Sequence, residues 1–331
     1  MIEKIVVLLD GSALAQGALP DAQALAEAFA AEMTLLCVLE TENVETQGKV
    51  DPVNWHLRKV EAESYLSNLR QTWPSSETPP QVVLAEGTAV DRIIHYAETE
   101  EPDLVMLTTH GHSGLSASAI SSVAHKIIHL LPTSFMLVRA DPTQQFEEPA
   151  RYRRIMVPLD GSRRAECILP FAACLAEAQG AELFLVHVSP QTDMIQRRPL
   201  SAEERLIANQ LHERNKTAAD LYLRQLAKHE KVPIKTRLLT QAQTTDALIN
   251  FARAEQIDLV MMCAHGQSGA QNRLHGSLIS TFIHYSSAAL FVLQDLPAEQ
   301  IKTFKSQSAA NITGGLNRKI AYAQPDGWKP D

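Results

Sequence analysis

Cysteine is scarce in this chain: four in 331 residues, at Cys37, Cys167, Cys174 and Cys263, with no Cys-x-x-Cys pair among them. That excludes a disulfide framework and argues against a zinc site, and reduced thiols in a cytoplasm are expected. Long hydrophobic runs are missing too. No apolar stretch approaches the ~18–20 residues that span a bilayer, and a first strand from Ile5 leaves no room for a signal peptide ahead of it. Basic residues are in deficit, 30 Lys and Arg against 38 Asp and Glu, for a formal charge of −8. Nucleic acid and anionic membrane are therefore not expected as partners. The clusters Arg151/Arg153/Arg154 and Arg197/Arg198 fall in expected linker and loop and read as solvated surface. Two nucleotide signatures are absent as well: no Gly-x-x-x-x-Gly-Lys-[Ser/Thr], and no Gly-x-Gly-x-x-Gly after a first strand.

What is present comes twice. Lys4-Ile5-Val6-Val7-Leu8-Leu9-Asp10-Gly11-Ser12 returns as Arg154-Ile155-Met156-Val157-Pro158-Leu159-Asp160-Gly161-Ser162. Asp103-Leu104-Val105-Met106, followed by His110-Gly111-His112-Ser113-Gly114, returns as Asp258-Leu259-Val260-Met261 and His265-Gly266-Gln267-Ser268-Gly269. The offset is 150 positions for the first motif and 155 for the second, a domain length rather than a solenoid period. Each copy alternates short apolar strands with helices, beginning with a strand at Ile5–Leu9 and a helix over Ala13–Ala31. Wholly apolar strands joined through helices imply a parallel sheet covered on both faces. The fold class expected is α/β: two tandem, doubly wound, five-stranded parallel-sheet domains of Rossmann-like type, related by a pseudo-two-fold axis. They are assigned to 1–142 and 152–296, with a linker over 143–151 and a tail over 297–331 rich in Gly, Pro and polar residues.

In an open parallel sheet, ligands bind beyond the carboxyl ends of the strands, and the repeated motifs sit there. Asp10 and Asp160 end the first strand of each copy. Either they accept hydrogen bonds from a ligand, or Asp-Gly-Ser simply caps the next helix through Ser12 or Ser162. Gly111-x-x-Gly114 and Gly266-x-x-Gly269 leave the fourth strand where backbone can approach a phosphate closely. Six residues on, Gly276-Ser277 opens a helix whose free N–H groups favour an anion. The first copy has Ser121-Ser122 at the same place.

These residues resemble the universal stress protein family, with Leu-Asp-Gly-Ser after strand one, His-Gly-x-Ser-Gly after strand four and Gly-Ser at the last helix. The likeness covers roughly 2–140 and 152–294, a tandem of two such domains. It implies an ATP or related adenylate site (ADP or AMP), with Mg possible alongside the nucleotide. In the second copy Asp160 and backbone at Val188 would meet the adenosine, and Gly266, Gly269, Gly276 and Ser277 the phosphates. The matching set in the first copy is Asp10, Val38, Gly111, Gly114, Ser121 and Ser122. There Ser121 stands in place of the expected glycine, which would crowd a phosphate or strain the loop if positive φ is needed. Conversely Gly87 follows the third strand where the second copy has Ala242. The second copy is thus the better expected phosphate site.

The resemblance also implies a pair of domains joined through their last strands. Phe135–Arg139 and Leu290–Leu293 are too apolar to stay as exposed edges, so pairing within one chain is expected, with a homodimer of chains possible through other surfaces. No metal site is expected. Of His110, His112, His125 and His129, only His110 and His129 have histidine counterparts, His265 and His284, and a ligand set half lost on duplication reads as structural. No general base or catalytic lysine stands out, so the expectation is a nucleotide-binding regulatory protein with at most slow ATP hydrolysis, its protein partner unknown. The competing reading is a nucleotide-free scaffold acting through protein contacts.

Overall fold

The structure is a computed structural model that describes residues 2–40, 52–73, 78–112, 114, 120–141, 149–190, 201–229, 232–241, 243–267 and 274–296. The first half lays down β1 (Lys4–Leu9), α1 (Ala13–Gln16), α2 (Leu19–Phe29), β2 (Glu32–Leu39), α3 (Pro52–Gln71), β3 (Gln81–Glu86), α4 (Ala89–Thr99), β4 (Leu104–Thr108), α5 (Ser122–Leu130) and β5 (Ser134–Val138). The second half repeats the order. Its elements are β6 (Arg154–Pro158), α6 (Arg163–Glu166), α7 (Leu169–Gln179), β7 (Glu182–Pro190), α8 (Ala202–His229), β8 (Ile234–Gln241), α9 (Thr244–Ala254), β9 (Leu259–Cys263), α10 (Ser277–Tyr285) and β10 (Ala289–Leu293). The tail over 297–331 and most of the linker lie outside the described residues.

One helix was expected over Ala13–Ala31, but two form. Pro20 and Pro170 sit in the first turn of α2 and α7. Proline there has no N–H to donate and its ring would collide with the carbonyl four residues back, so the helix must start afresh just ahead of it.

All ten strands join one sheet in the order β3-β2-β1-β4-β5-β10-β9-β6-β7-β8. Pairing within each half is parallel. The halves meet through β5 and β10, antiparallel, with Leu137 opposite Leu290, Met136 opposite Phe291 and Phe135 opposite Val292. The apolar last strands thus cover one another, as expected. Alternate residues of each strand feed two cores. Ile5, Val7 and Leu9 of β1 join the core under α2, α3, α7 and α8, while Val6 and Leu8 join the one under α4, α5, α9 and α10. Both cores run through both halves.

Polar ties reinforce the seam. The Arg139 guanidinium, at the end of the first half, donates to Phe282 O (2.7 Å), Ile283 O (2.8 Å) and Ala288 O (3.2 Å), in and just beyond the last turn of α10. Buried His275 pairs its Nε2 with Ile128 O in α5 at 2.9 Å. On the other face Phe29 meets Phe171 edge to face, with ring centres 6.3 Å apart.

The aspartates of the repeated Asp-Leu-Val-Met motif serve the fold. Asp103 Oδ2 accepts from Glu3 N and Lys4 N at 2.7 and 3.0 Å, tying the start of β1 to β4. Asp258 does the same for Arg153 N and Arg154 N.

Candidate functional site

In each half β1 and β4, or β6 and β9, are neighbours whose connections leave toward opposite sides, which opens a crevice at their carboxyl ends. Asp10 and Asp160 stand at its lip. Asp10 Oδ1 accepts from Ser12 N (3.0 Å) and Ser12 Oγ (2.6 Å), and Oδ2 accepts from His112 N (2.5 Å). Asp160 repeats this with Ser162 N at 2.9 Å and Gln267 N at 2.5 Å. Partial burial works against the Asp160 charge, but the hydrogen bonds from Ser162 and Gln267 outweigh it and hold the carboxyl below its ordinary value. Each carboxylate therefore clamps the glycine loop to the end of the first strand. The clamp explains the glycine that follows the histidine: a Cβ at Gly111 or Gly266 would overlap the Oδ2 of Asp10 or Asp160. Ser12 and Ser162 are caps, accepting from Ala15 N and Ala165 N at 3.1 Å.

The second half holds a cavity of about 780 Å³, and Asp160, Val188, Gly266, Gly276 and Ser277 all line it. Gly269 lies outside the described residues. Val186, Val188, Leu248 and Met262 give the cavity an apolar wall, whereas Ser189, Asn215 and Thr244 offer polar atoms. That mixture suits a flat, partly apolar ligand fixed by a few polar contacts. Sequence reasoning missed His187 and Tyr222, which also line it. His187 Nδ1 is 2.8 Å from Leu159 O, and Tyr222 OH donates to Glu166 Oε1 at 3.0 Å. The strand-end rule could have found His187, because it precedes Val188; Tyr222 needed knowledge of which face α8 turns inward.

Gly276 is the N-cap of α10 with φ −70 and ψ 164, and no side chain caps the first turn. Its N–H donates to Ala264 O at 2.9 Å, and a Cβ there would stand 3.4 Å from the same oxygen. Without a capping side chain, the first-turn N–H groups can turn to an anion. In the first half the equivalent Ser121 has φ −67, and its Oγ accepts from Ala124 N at 3.2 Å. Of the two expectations for Ser121, a crowded phosphate or a strained loop, the second falls away, because this position needs no positive φ in either half. What Ser121 does instead is occupy one of the amides that Gly276 leaves open. Ser122 and Ser277 open their helices, Val38 is half-buried at the end of β2, and Gly114 takes φ +72. Gly87 has φ +138, and Ala242 lies outside the described residues.

A part-buried network braces the start of the second loop. His265 Nδ1 and N lie 2.9 and 3.1 Å from Asp295 Oδ1, while Arg164 reaches Asp295 Oδ2 at 2.5 Å. Burial opposes the Asp295 charge, and His265 and Arg164 reverse that, so its pKa falls below the usual value. At the corresponding first-half places stand Ala140 and Leu14, and His110 Nδ1 lies 3.2 Å from Thr109 Oγ1 instead.

The universal stress protein family model matches residues 1–139 and 151–294. Universal stress protein YxiE of Bacillus subtilis strain 168 is 26% identical over 149 residues, which is 42% of this chain and all of that protein. Universal stress protein MJ0531 of Methanocaldococcus jannaschii is 25% identical over 131 residues, 39% of this chain and 76% of the relative. Among solved structures, a universal stress protein from Archaeoglobus fulgidus DSM 4304 superposes with TM-score 0.65 at 17% identity, covering 88% of this chain and 98% of its own. The functionally unknown PA1789 from Pseudomonas aeruginosa PAO1 gives 0.61 at 14%, covering 93% and 98%. Those two likenesses speak for a shared fold over both halves. With the family matched across each copy in turn, the chain belongs to the universal stress protein family as a tandem of two of its domains.

Proposed function

We propose that this protein binds an adenine nucleotide, ATP or a close relative, in the second-half cavity, and that occupancy regulates its conformation or choice of partner in a stress response. The observation that carries this reading is the convergence of Asp160, Val188, Gly266, Gly276 and Ser277 on one cavity of about 780 Å³ whose adjoining helix start has no side-chain cap. The apolar wall would take the base, Asp160 the ribose side, and Gly266, Gly276 and Ser277 the phosphates, with Gly269 three positions beyond Gly266 in the sequence. Mg would add a counter-charge for the phosphates. Both Asp160 oxygens already hold loop amides, so the residue fits positioning better than proton abstraction. Ligand binding rather than rapid turnover is the activity that follows.

The first half is read as the weaker site, because the Ser121 hydroxyl competes for the α5 amide. One adenylate per chain is therefore expected when purified protein is denatured and its small molecules are separated with mass detection. In calorimetry with ATP, Gly276→Arg should abolish binding while leaving the circular dichroism spectrum intact. Unchanged affinity in that variant would refute the phosphate assignment, and an empty protein that ignores added ATP would favour the scaffold.

A further inference from the structure

The seam between the halves gathers three histidines that the sequence keeps more than 150 positions apart at its extremes. His125 and His129 lie one turn apart on α5, and their Nε2 atoms are 3.1 Å from each other. His284, the counterpart of His129 in the other half, projects from α10, with its ring centre 6.4 Å from that of His125. All three side chains are exposed, so solvent ions reach them.

We infer that His125, His129 and His284 form a site for a divalent first-row transition ion, with zinc as its representative, bridging the two domains. Two imidazoles at i and i+4 on one helix face are a recurrent zinc-binding arrangement. At metal–nitrogen distances of ~2.0–2.1 Å, nitrogens 3.1 Å apart subtend roughly 100° at the ion, between the octahedral and tetrahedral values. The His125–His129 hydrogen bond needs a proton on one Nε2. Moving that proton to Nδ1 leaves both Nε2 lone pairs for the metal, with small ring rotations to aim them. His284 is set already. Its Nδ1 lies 2.7 Å from Ser280 O, and a carbonyl can only accept, so Nδ1 carries the proton and Nε2 holds the lone pair. A backbone carbonyl on the remote ring nitrogen is the usual outer support of a histidine ligand.

Among the described residues no three candidate side chains yet close on one point. The site is thus a two-histidine clip with a third imidazole beside it, its ring centre 6.4 Å from that of His125, and water would complete the coordination. Imidazole nitrogen suits zinc, nickel and copper and serves magnesium and calcium poorly, so any Mg accompanying a nucleotide would not compete here. The inference does not depend on the nucleotide reading.

The test is calorimetry of zinc chloride into tag-free, full-length protein in buffer containing millimolar magnesium. One zinc per chain is expected. Changes to outer-sphere partners alone cost 10–100-fold in metal affinity, so loss of a ligand in His129→Gln or His284→Gln should weaken binding at least about tenfold. Zinc should also raise the melting temperature of the wild type and not that of either variant. Wild-type affinity in His129→Gln, or in His284→Gln, would overturn the bridging site, as would no zinc binding at all. The positions are exposed, and unliganded melting curves of the variants check that the fold is kept.

Discussion

Asp21 is the most informative residue to perturb at the domain junction. It lies in the first turn of α2 and is 6% exposed. Its Oδ1 accepts from the hydroxyl of Tyr152, itself buried, where the chain enters the second half. Ala150 N donates to Pro20 O beside it at 2.8 Å. Burial pushes the Asp21 pKa up from 3.8 to about 6, although the Tyr152 hydrogen bond works the other way. The folded protein therefore holds this proton more tightly than the unfolded chain. The contribution is favourable below the unfolded value, and it is lost as pH rises through about 6. Above pH 7 the full difference amounts to ~3 kcal/mol of stability forgone for keeping the charge in the interior.

The variant is Asp21→Asn, which keeps the oxygen that accepts from Tyr152 and removes the titration. Urea denaturation of both proteins at pH 7.5 and 4.5 gives four free energies. At pH 4.5 the wild type should recover about 2 kcal/mol of the linkage, the rest appearing only at still lower pH. Relative to the variant, the wild type should gain that amount between the two pH values. Packing costs of the amide are common to both and cancel, as do the titrations of all other groups. If the gap between the proteins is the same at both pH values, Asp21 has an ordinary pKa and the argument from burial fails.

Two further predictions concern the site and the seam. Gly266→Ala would force the Asp160 carboxylate off Gln267 N; losing a hydrogen bond to a charged group costs ~2 kcal/mol, so differential scanning calorimetry should show the melting temperature falling by about 5 °C. Gly111→Ala should cost the same stability through Asp10, yet calorimetry with ATP should show a large affinity loss only for the Gly266 variant. Arg139→Met removes three donors from the carbonyls at the end of α10 and a cation from the negative end of that helix. It should cost ~3 kcal/mol in urea unfolding, and an unchanged midpoint would mean that the Arg139 contacts add nothing to the seam.

Much of this fold could be read from short strands such as Val105-Met106-Leu107, apolar on every position, because only a sheet covered on both faces buries every residue of a strand. The joining of the halves was legible for the same reason: Phe135–Val138 of β5 and all of β10 are apolar and need a partner. The break before α2 was legible in Pro20 but escaped a reading by hydrophobic period, which registers composition and not a missing N–H. For the glycine at the last helix the sequence left two readings of its loss in the first half, a crowded phosphate or a strained loop. The φ of −70 at Gly276 suits any residue, which removes the second and leaves the side chain as the difference. Tyr222 and His284 were out of reach, since their surroundings depend on how helices distant in the chain pack together.

The differences between the halves point to a division of labour, not to wholesale decay of one copy. Both retain the aspartate clamp, the glycine against it and the serine cap, all of which hold the loop in shape whether or not a ligand comes. They diverge where a ligand would be felt. Gly276 leaves the start of α10 without a side-chain cap, while Ser121 closes α5 on itself. The second loop is braced by Asp295 and Arg164, where the first half has Ala140 and Leu14. Meanwhile Arg139, from the first half, grips the far end of the helix that begins at Gly276. An anion drawn to the start of α10 and a cation fixed at its end favour the same helix dipole. On the proposed reading, the first domain therefore acts on the second site through α10, and its own crevice need not be filled for it to do so.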